Sequence, residues 1–284
     1  MTNATVTNTT VANTTLTDTS TWLPLDGLAP GFDANKAPLS GNLAGRTVVL
    51  ANTDGSVITH EFTAERVRWH YEAAASDPHG TSDGDDAYEA ILVDRDLYYV
   101  QFQTQTRPND AVSLFLDFAS GRALSVIQII HERAEDNTCV SQAFVPGLIE
   151  GIETSGDEPA PTIALIGRRV IWDYSPIHAY EHVYLSPQWY TWQCLAGPEK
   201  GLADTDQNSV YQLREGIYVF TWREKVIPCA SVTVADHRNV RAIRSHGVLF
   251  GLDQSGQTAT HFTFGAFGQL LSVTVHPERL DPAL

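Results

Sequence analysis

The sequence has few cysteines and few basic side chains. Three cysteines, Cys139, Cys194 and Cys229, lie far apart and form no C-x-x-C pair, which argues against a disulfide framework and a thiolate zinc site. A reducing cytoplasm fits this usage. With 18 basic against 34 acidic side chains the formal net charge is −16, so nucleic acids and anionic membrane surfaces would be repelled.

Signals for membrane insertion, secretion and several enzyme classes are also missing. No segment approaches the roughly 20 apolar residues of a membrane-spanning helix, and the N-terminus lacks the pattern of a signal peptide. The chain has no G-x-S-x-G, G-x-x-x-x-G-K-[ST] or G-x-G-x-x-G motif, so nucleophile-elbow hydrolases, P-loop NTPases and Rossmann oxidoreductases lack sequence support. We expect a cytoplasmic protein without nucleic-acid or membrane partners.

The N-terminal residues are dominated by threonine and asparagine. The opening tract, MTNATVTNTTVANTTLTDTSTW, offers almost no large apolar side chain to offset the entropic cost of ordering it. We therefore predict a disordered arm over residues 1–38.

From residue 39 onward the pattern is that of β-strands. Short runs rich in Val, Ile, Thr and aromatic residues alternate with period two and are separated by Gly, Pro, Asn and Asp. The stretch TVVLANTDGSVITHEF, for example, predicts a hairpin around the Asp54-Gly55 pair. Roughly eight such strands precede residue 150, whereas helical patterns are scarce.

The strand pattern occurs twice. LAGRTVVLANTDGSVITHEF from Leu43 matches LIGRRVIWDYSPIHAYEHVYL from Leu165, and RDLYYVQFQ matches EGIYVFTWR further along. The acidic, Gly- and Pro-containing segment 149–161 between the copies has the composition of a linker. The predicted fold class is all-β, with two tandem calycin- or lipocalin-like antiparallel β-barrels from an internal duplication, over residues 39–148 and 162–284.

The stretch YSPIHAYEHVYLSPQWYTWQC, residues 174–194, concentrates rings, histidines and a glutamate. Strand alternation places Tyr180, His182 and Tyr184 on one face and Glu181 on the other. A ring-lined pocket with a few polar groups is typical of a small-molecule site, although rings that merely fill the barrel would give the same composition. Because polar groups are costly fillers of a core, and because the first half has no comparable cluster, we predict the ligand cavity in the second barrel.

Two sets of candidate site residues follow from this stretch and its neighbours. A buried carboxylate or imidazole can be tuned for proton transfer, a tyrosine can donate to a developing oxyanion, and an arginine can hold a carboxylate. The catalytic candidates are Glu181, His182, Tyr184, Tyr190 and Arg223. The ligand-binding candidates are Tyr174, Tyr180, Trp192, Trp222 and His246.

Metal binding is not predicted at the paired histidines. His178 and His182 lie four residues apart, a spacing that suits two ligands on a helix, but the alternation indicates a strand, on which they are about 13 Å apart. We predict neither a metal nor another cofactor.

Long motifs in both halves resemble one known family. They are YSPIHAYEHVYL, YTWQCLAG, DTDQNSVYQL and IYVFTWREKVIP in the second half and LAGR, SLFLDFASGRAL and QAFVPG in the first. These motifs resemble the molybdenum cofactor biosynthesis protein F (MoaF) family from about Leu43 to Val275. The resemblance implies calycin-like barrels and a genetic association with molybdenum enzymes, but no reaction and no catalytic residues. The architecture also resembles that of phenolic acid decarboxylases, which is an analogy of fold alone.

Three functions remain open at this point. The first, which we favour, is a cofactor-independent enzyme, an isomerase, cyclase or lyase, that moves protons on a flat conjugated or polycyclic substrate. The second is a non-catalytic ligand carrier or assembly factor in the maturation of the molybdenum cofactor or of molybdenum enzymes. The third is a scaffold of two filled barrels. The expected partner is a hydrophobic or aromatic small molecule, and a homodimer is left open.

Overall fold

The structure is a computed structural model that describes residues 19, 21–75, 77, 80–132 and 138–283 of the chain. Within these ranges the chain forms antiparallel strands, a short helix, α1 (Leu25–Leu28), and a single 3-10 turn at Glu278–Leu280. No helix in the described ranges is long and apolar enough to cross a membrane. The predicted arm residues 1–18 and 20 lie outside the described residues.

The strands divide into two sets along the chain. The first set is β1 (Thr47–Asn52), β2 (Val57–Phe62), β3 (Arg66–Glu72), β4 (Ser82–Ala87), β5 (Glu89–Asp94), β6 (Leu97–Gln103), β7 (Asp110–Asp117), β8 (Arg122–Ile130) and β9 (Val140–Ile149). The second set is β10 (Ala160–Pro161), β11 (Arg168–Asp173), β12 (Ala179–Tyr184), β13 (Trp189–Ala196), β14 (Ala203–Arg214), β15 (Ile217–Arg223), β16 (Cys229–Asp236), β17 (Ile243–Leu252) and β18 (Ala259–Val273).

Each set forms one up-and-down antiparallel barrel. The first sheet has the order β4-β3-β2-β1-β9-β8-β7-β6-β5, and the second has the order β10-β14-β13-β12-β11-β18-β17-β16-β15. The second barrel closes because the long strand β14 pairs with β13 near its start and with β15 near its end. In the first barrel this strand is interrupted at Tyr88, so that β4 pairs with β3 while β5 pairs with β6. The predicted fold class is confirmed.

The register of the strands makes individual residues of the two barrels equivalent. Val48 faces His60 across β1 and β2, as Val170 faces His182 across β11 and β12. The predicted hairpin between β1 and β2 also forms. Gly55 adopts a φ of 86°, and the Asp54 carboxylate accepts hydrogen bonds from the backbone N–H and the hydroxyl of Ser56. The register of the strands is thus the same in both barrels, and the Asp54-Gly55 turn forms the first hairpin.

Residues 22–36, here called the cap segment, pack against the second barrel. Leu25 is fully buried, and Leu28 and Phe32 join the core of that barrel. The Leu23 N–H donates a hydrogen bond of 3.2 Å to Oε1 of Glu199. The prediction of a disordered arm over residues 1–38 is therefore wrong for residues 22–36, because their apolar side chains bury surface that the preceding Thr/Asn tract does not offer.

The two barrels pack directly on each other. Their interface contains a cluster of side chains from both, including Tyr99 and Phe115 of the first and Val232 and Val248 of the second. Arg214 of the second barrel makes ion pairs with Asp94 and Asp117 of the first, at 2.9 and 2.7 Å. The outer faces of β16 and β17 are therefore buried against the first barrel rather than exposed to solvent.

Candidate functional site

A small cavity lies inside the second barrel, at the end covered by the cap segment. Its volume is about 40 Å3, enough for about three water molecules. It is lined by Leu28, Phe32, Tyr174, Tyr180, His182, Tyr190, Trp192, Glu199, Trp222, Glu224, Ile227 and Leu249. Aromatic rings and two carboxylates thus face one enclosed space.

Three aromatic side chains at this end each donate a hydrogen bond to a carboxylate. The bonds join Tyr180 to Glu199 (2.8 Å), Trp192 to Asp206 (2.9 Å) and Trp222 to Glu224 (3.1 Å). Strand alternation explains Glu224, which follows Trp222 by two residues and so points to the same inner side. The register explains Asp206, which lies directly opposite Tyr190 across β13 and β14.

The low-dielectric surroundings change the proton affinity of these carboxylates. Burial, and to a lesser extent the charge of Asp206, raises the pKa of Glu224 to about 8. Burial also raises the pKa of Asp206 to about 6. For Glu199 burial again raises the pKa, but the hydrogen bonds from Tyr180 and from the Leu23 N–H oppose the rise. Glu224 is therefore protonated at neutral pH and can donate a proton.

His182 lies in the same space as a neutral imidazole. The ring is buried between aromatic neighbours, with its centroid 5.2 Å from that of Tyr190 and 5.8 Å from that of Trp222. Burial lowers the pKa of His182 to about 3, and its Nδ1 has no hydrogen-bond partner. An imidazole in this setting can exchange hydrogen bonds with a ligand but does not carry a charge near neutral pH.

The cap segment places an aromatic ring of its own among those of the barrel. The ring centroid of Phe32 lies 4.8 Å from that of Tyr174, 4.9 Å from that of His178 and 5.9 Å from that of Tyr180. Trp22 packs edge-on against Trp192, with 5.4 Å between the centroids. The small volume of the cavity is thus partly due to side chains of the cap segment.

Comparison with known proteins places this double barrel in a family. The profile of the MoaF N-terminal domain matches residues 20–132, and that of the MoaF C-terminal domain matches residues 159–274. The chain belongs to the MoaF family. Protein MoaF of Klebsiella aerogenes is 33% identical to it over 204 residues, which are 67% of this chain and 76% of that protein.

One solved structure is also similar to this chain, at a lower level. A Burkholderia vietnamiensis protein, described as a candidate β-lactamase, is 18% identical and covers 38% of this chain and 93% of its own length, with a TM-score of 0.30. A similarity at this level supports neither a shared fold nor a shared activity.

Most of the residues predicted for the site of this MoaF-family chain do meet in the second barrel. Six of the ten line the cavity, namely Tyr174, Tyr180, His182, Tyr190, Trp192 and Trp222. Tyr184 points to the same interior but lies deeper, where its ring packs against Phe220 at 5.0 Å. Strand alternation therefore correctly grouped the residues of β12 that point into the barrel.

Glu181 does not belong to the cavity. It lies on the outer face of β12, where its carboxylate accepts two hydrogen bonds from Arg169, at 2.5 and 2.7 Å, and one from Gln193 at 2.7 Å. These bonds, with that from Arg169 foremost, lower the pKa of Glu181, so it is ionised at neutral pH. Alternation identified two faces correctly, but the catalytic assignment took this residue from the outer one.

Arg223 and His246 also lie outside the cavity, towards the first barrel. The Arg223 guanidinium donates to the side-chain oxygens of Gln142 and Gln207, each at 3.2 Å. His246 shares the outer face of β17 with Val248, which belongs to the cluster between the barrels. Burial lowers the pKa of His246 to about 3. Both predictions are incorrect because packing of the two barrels, which strand patterns do not encode, makes an outer face buried.

Sequence reasoning missed the carboxylates Glu199, Asp206 and Glu224. Glu224 could have been predicted, because it follows Trp222 by two residues at the end of β15 and so lies on the same face. Glu199 lies in the connection after β13, and only the folded chain brings it to Tyr180. Within the described residues no group of three or more His, Cys, Asp or Glu side chains is arranged to hold a metal ion.

The first barrel contains a larger cavity than the second. Its volume is about 250 Å3, against about 40 Å3, so the second barrel, in which we predicted the ligand cavity, is the more tightly filled of the two. Two equivalent positions contribute to the difference, because Ile58 and Thr104 of the first barrel stand where the second barrel has the larger residues Tyr180 and Glu224. Dense rings fill a barrel, whereas the smaller aliphatic side chains of the first half leave space.

Proposed function

We propose that the second barrel is the active site of a cofactor-independent acid–base enzyme, in which Glu224 donates a proton to a flat conjugated substrate and Glu199 accepts one. Both carboxylates line the same ring-walled cavity, and this observation carries the proposal. The reaction would be an isomerisation, a cyclisation or a lyase step, since each needs only positioned proton transfer.

The environments of the two carboxylates support different roles. Burial beside Asp206 keeps Glu224 protonated, because its pKa rises to about 8. Glu199 accepts hydrogen bonds from Tyr180 and from the Leu23 N–H, and both favour its ionised form. Two carboxyl groups whose environments separate their proton affinities are the usual arrangement for an acid and a base.

The position of Phe32 supports an aromatic or conjugated substrate. This ring occupies a space bounded by five other rings, those of Tyr174, His178, Tyr180, Phe262 and Phe264. A flat substrate would replace Phe32 and Leu28 and make the same contacts. Binding therefore requires the cap segment to move, which would also remove the Leu23 hydrogen bond from Glu199 and leave that carboxylate free to accept a proton.

The test is turnover of a panel of flat carbonyl compounds without added cofactor. We would follow decarboxylation of 4-hydroxycinnamate by absorbance and exchange of the α-protons of 2-tetralone in D2O by NMR. We expect Glu224→Gln to abolish the activity and the wild-type rate to fall above about pH 8, where Glu224 loses its proton.

Glu181→Gln is the matched control, because it makes the same chemical change on the outer face of β12. It should leave turnover unchanged. If Glu181→Gln lowers turnover as much as Glu224→Gln does, the assignment of the active site is wrong. If the compounds bind and are recovered unchanged, the protein is a carrier, as in the alternative role in molybdenum cofactor maturation.

A further inference from the structure

The cavity of the first barrel has the size and the lining of a binding site. Its volume of about 250 Å3 is well above the roughly 150 Å3 of a protein cavity that accommodates benzene, and corresponds to about ten non-hydrogen atoms. Much of the wall is apolar, formed by Ile58, Phe102, Val112, Leu114, Ile127, Ile129 and Val145. Several of these side chains, such as Ile127 and Ile129, are only half-buried.

The charged residues that line this cavity are predominantly acidic. Among the described lining residues the charged ones are three carboxylates, Asp54, Asp77 and Asp110, and one guanidinium, Arg107. Arg107 pairs with Asp110 at 2.9 Å, and the Tyr71 hydroxyl donates to Asp77 at 2.8 Å. The net charge of this lining is therefore negative, which favours a cationic group on a ligand over an anionic one.

We infer that the first barrel binds an amphipathic aromatic amine of about ten non-hydrogen atoms, with its ring between the aliphatic walls and its ammonium group beside Asp54 and Asp77. This site is separate from the one proposed in the second barrel. It does not depend on the acid–base function.

Calorimetric titration of the full chain with three related compounds tests the ligand class. Tyramine carries an ammonium group and a phenol, 4-ethylphenol lacks the charge, and 3-(4-hydroxyphenyl)propionate carries the opposite charge. We expect tyramine to bind with one site per chain and the propionate to bind at least about tenfold more weakly, because the carboxylates attract one and repel the other. The proposal is overturned if none of the three binds or if the propionate binds as tightly as tyramine.

A variant that fills the cavity locates the site, and a matched variant on an outer face is its control. Val145→Phe places a ring in the cavity, as Phe264 does at the equivalent position of the second barrel, and should weaken tyramine binding about tenfold or more. Val183→Phe makes the same change on the outer face of β12 and should have no effect. If Val145→Phe does not fold, Ala143→Phe, at an exposed lining position, replaces it.

The charge requirement is tested by Asp54→Asn combined with Asp77→Asn. The double variant keeps hydrogen-bond acceptors and should remove the preference for tyramine over 4-ethylphenol. Its control, Asp157→Asn combined with Asp173→Asn, removes two exposed charges elsewhere and should retain the preference. Equal loss in both double variants would show a general effect of net charge and would contradict the site, as would full retention in the first.

Discussion

The two barrels share a buried His–Trp–Asp set but fill the rest of their interiors differently. In each barrel a histidine of the second strand lies opposite a tryptophan of the third, and the indole N–H donates to an aspartate, at 2.8 Å in the first barrel and 2.9 Å in the second. The sets are His60–Trp69–Asp86 and His182–Trp192–Asp206. Each aspartate also accepts a hydrogen bond from a backbone N–H, that of Gln105 after β6 in the first barrel or that of Lys225 after β15 in the second.

This repetition distinguishes residues that serve the shared fold from residues that serve the function of one barrel. A set that occurs in both copies and anchors a loop in each serves the shared architecture. The two copies have diverged at other positions. The main ones are Thr104 and Ile58 of the first barrel, where the second barrel has Glu224 and Tyr180. We therefore look for chemistry at Glu224 rather than at His182, and for a second binding site where the first barrel is hollow.

The largest effect should come from removing a ring in the filled barrel. Phe220 is buried against Tyr184, Tyr190 and Trp222, so Phe220→Ala should lower the free energy of unfolding by about 3–5 kcal/mol. Ile127→Ala, which trims a half-buried wall of the hollow barrel, should cost only about 1 kcal/mol. Urea unfolding measures both. Similar costs would show that the two interiors are packed alike.

Exchanging residues between the barrels should have an intermediate and asymmetric effect. Ile58→Tyr gives the first barrel the residue of the second, and the cavity has room for the ring, so stability should change by less than about 1 kcal/mol. Cys194→Tyr gives the second barrel the residue that the first has at the equivalent position, Tyr71, and in this filled interior it should cost about 1–3 kcal/mol. Thermal unfolding of the two variants makes the comparison, and an equal cost would contradict it.

The last effect is a dependence of stability on pH, to which Glu224 contributes from the second barrel. The folded state raises the pKa of Glu224 to about 8 from 4.5, so it holds a proton that the unfolded chain has released. This contribution is present in full below pH 4.5 and is lost as the pH rises towards 8. Between pH 5 and 8 the urea midpoint of the wild type should therefore fall relative to that of Glu224→Gln, because the buried histidines contribute equally to both proteins.

Glu181 serves as a control, because its contribution to stability depends on pH with the opposite sign. Its ion pair with Arg169 lowers the pKa of the Glu181 carboxylate, so its contribution is present above pH 4.5 and is lost only at lower pH. Between pH 5 and 8 the profile of Glu181→Gln should run parallel to that of the wild type. If the profile of Glu224→Gln also runs parallel to that of the wild type, Glu224 is ionised in the folded protein.

Much of the fold could be predicted because its determinants are local. The period-two alternation of β12 grouped Tyr180, His182 and Tyr184, and the Asp54-Gly55 pair predicted its hairpin. The site was predicted less well. Alternation separates two faces of a strand without showing which one is inside, so Glu181 was assigned to the cavity although it lies on the outer surface, and Arg223 and His246 although they lie between the barrels.

The sequence by itself determined the duplication, the strands and the equivalence of positions, because these depend on neighbours along the chain and on a repeated pattern. Only the tertiary structure decided which barrel is hollow, since a cavity is what remains after side chains from all the strands of a barrel share one interior. It also brought Leu23 of the cap segment to Glu199, a contact between residues 176 positions apart that no local pattern encodes.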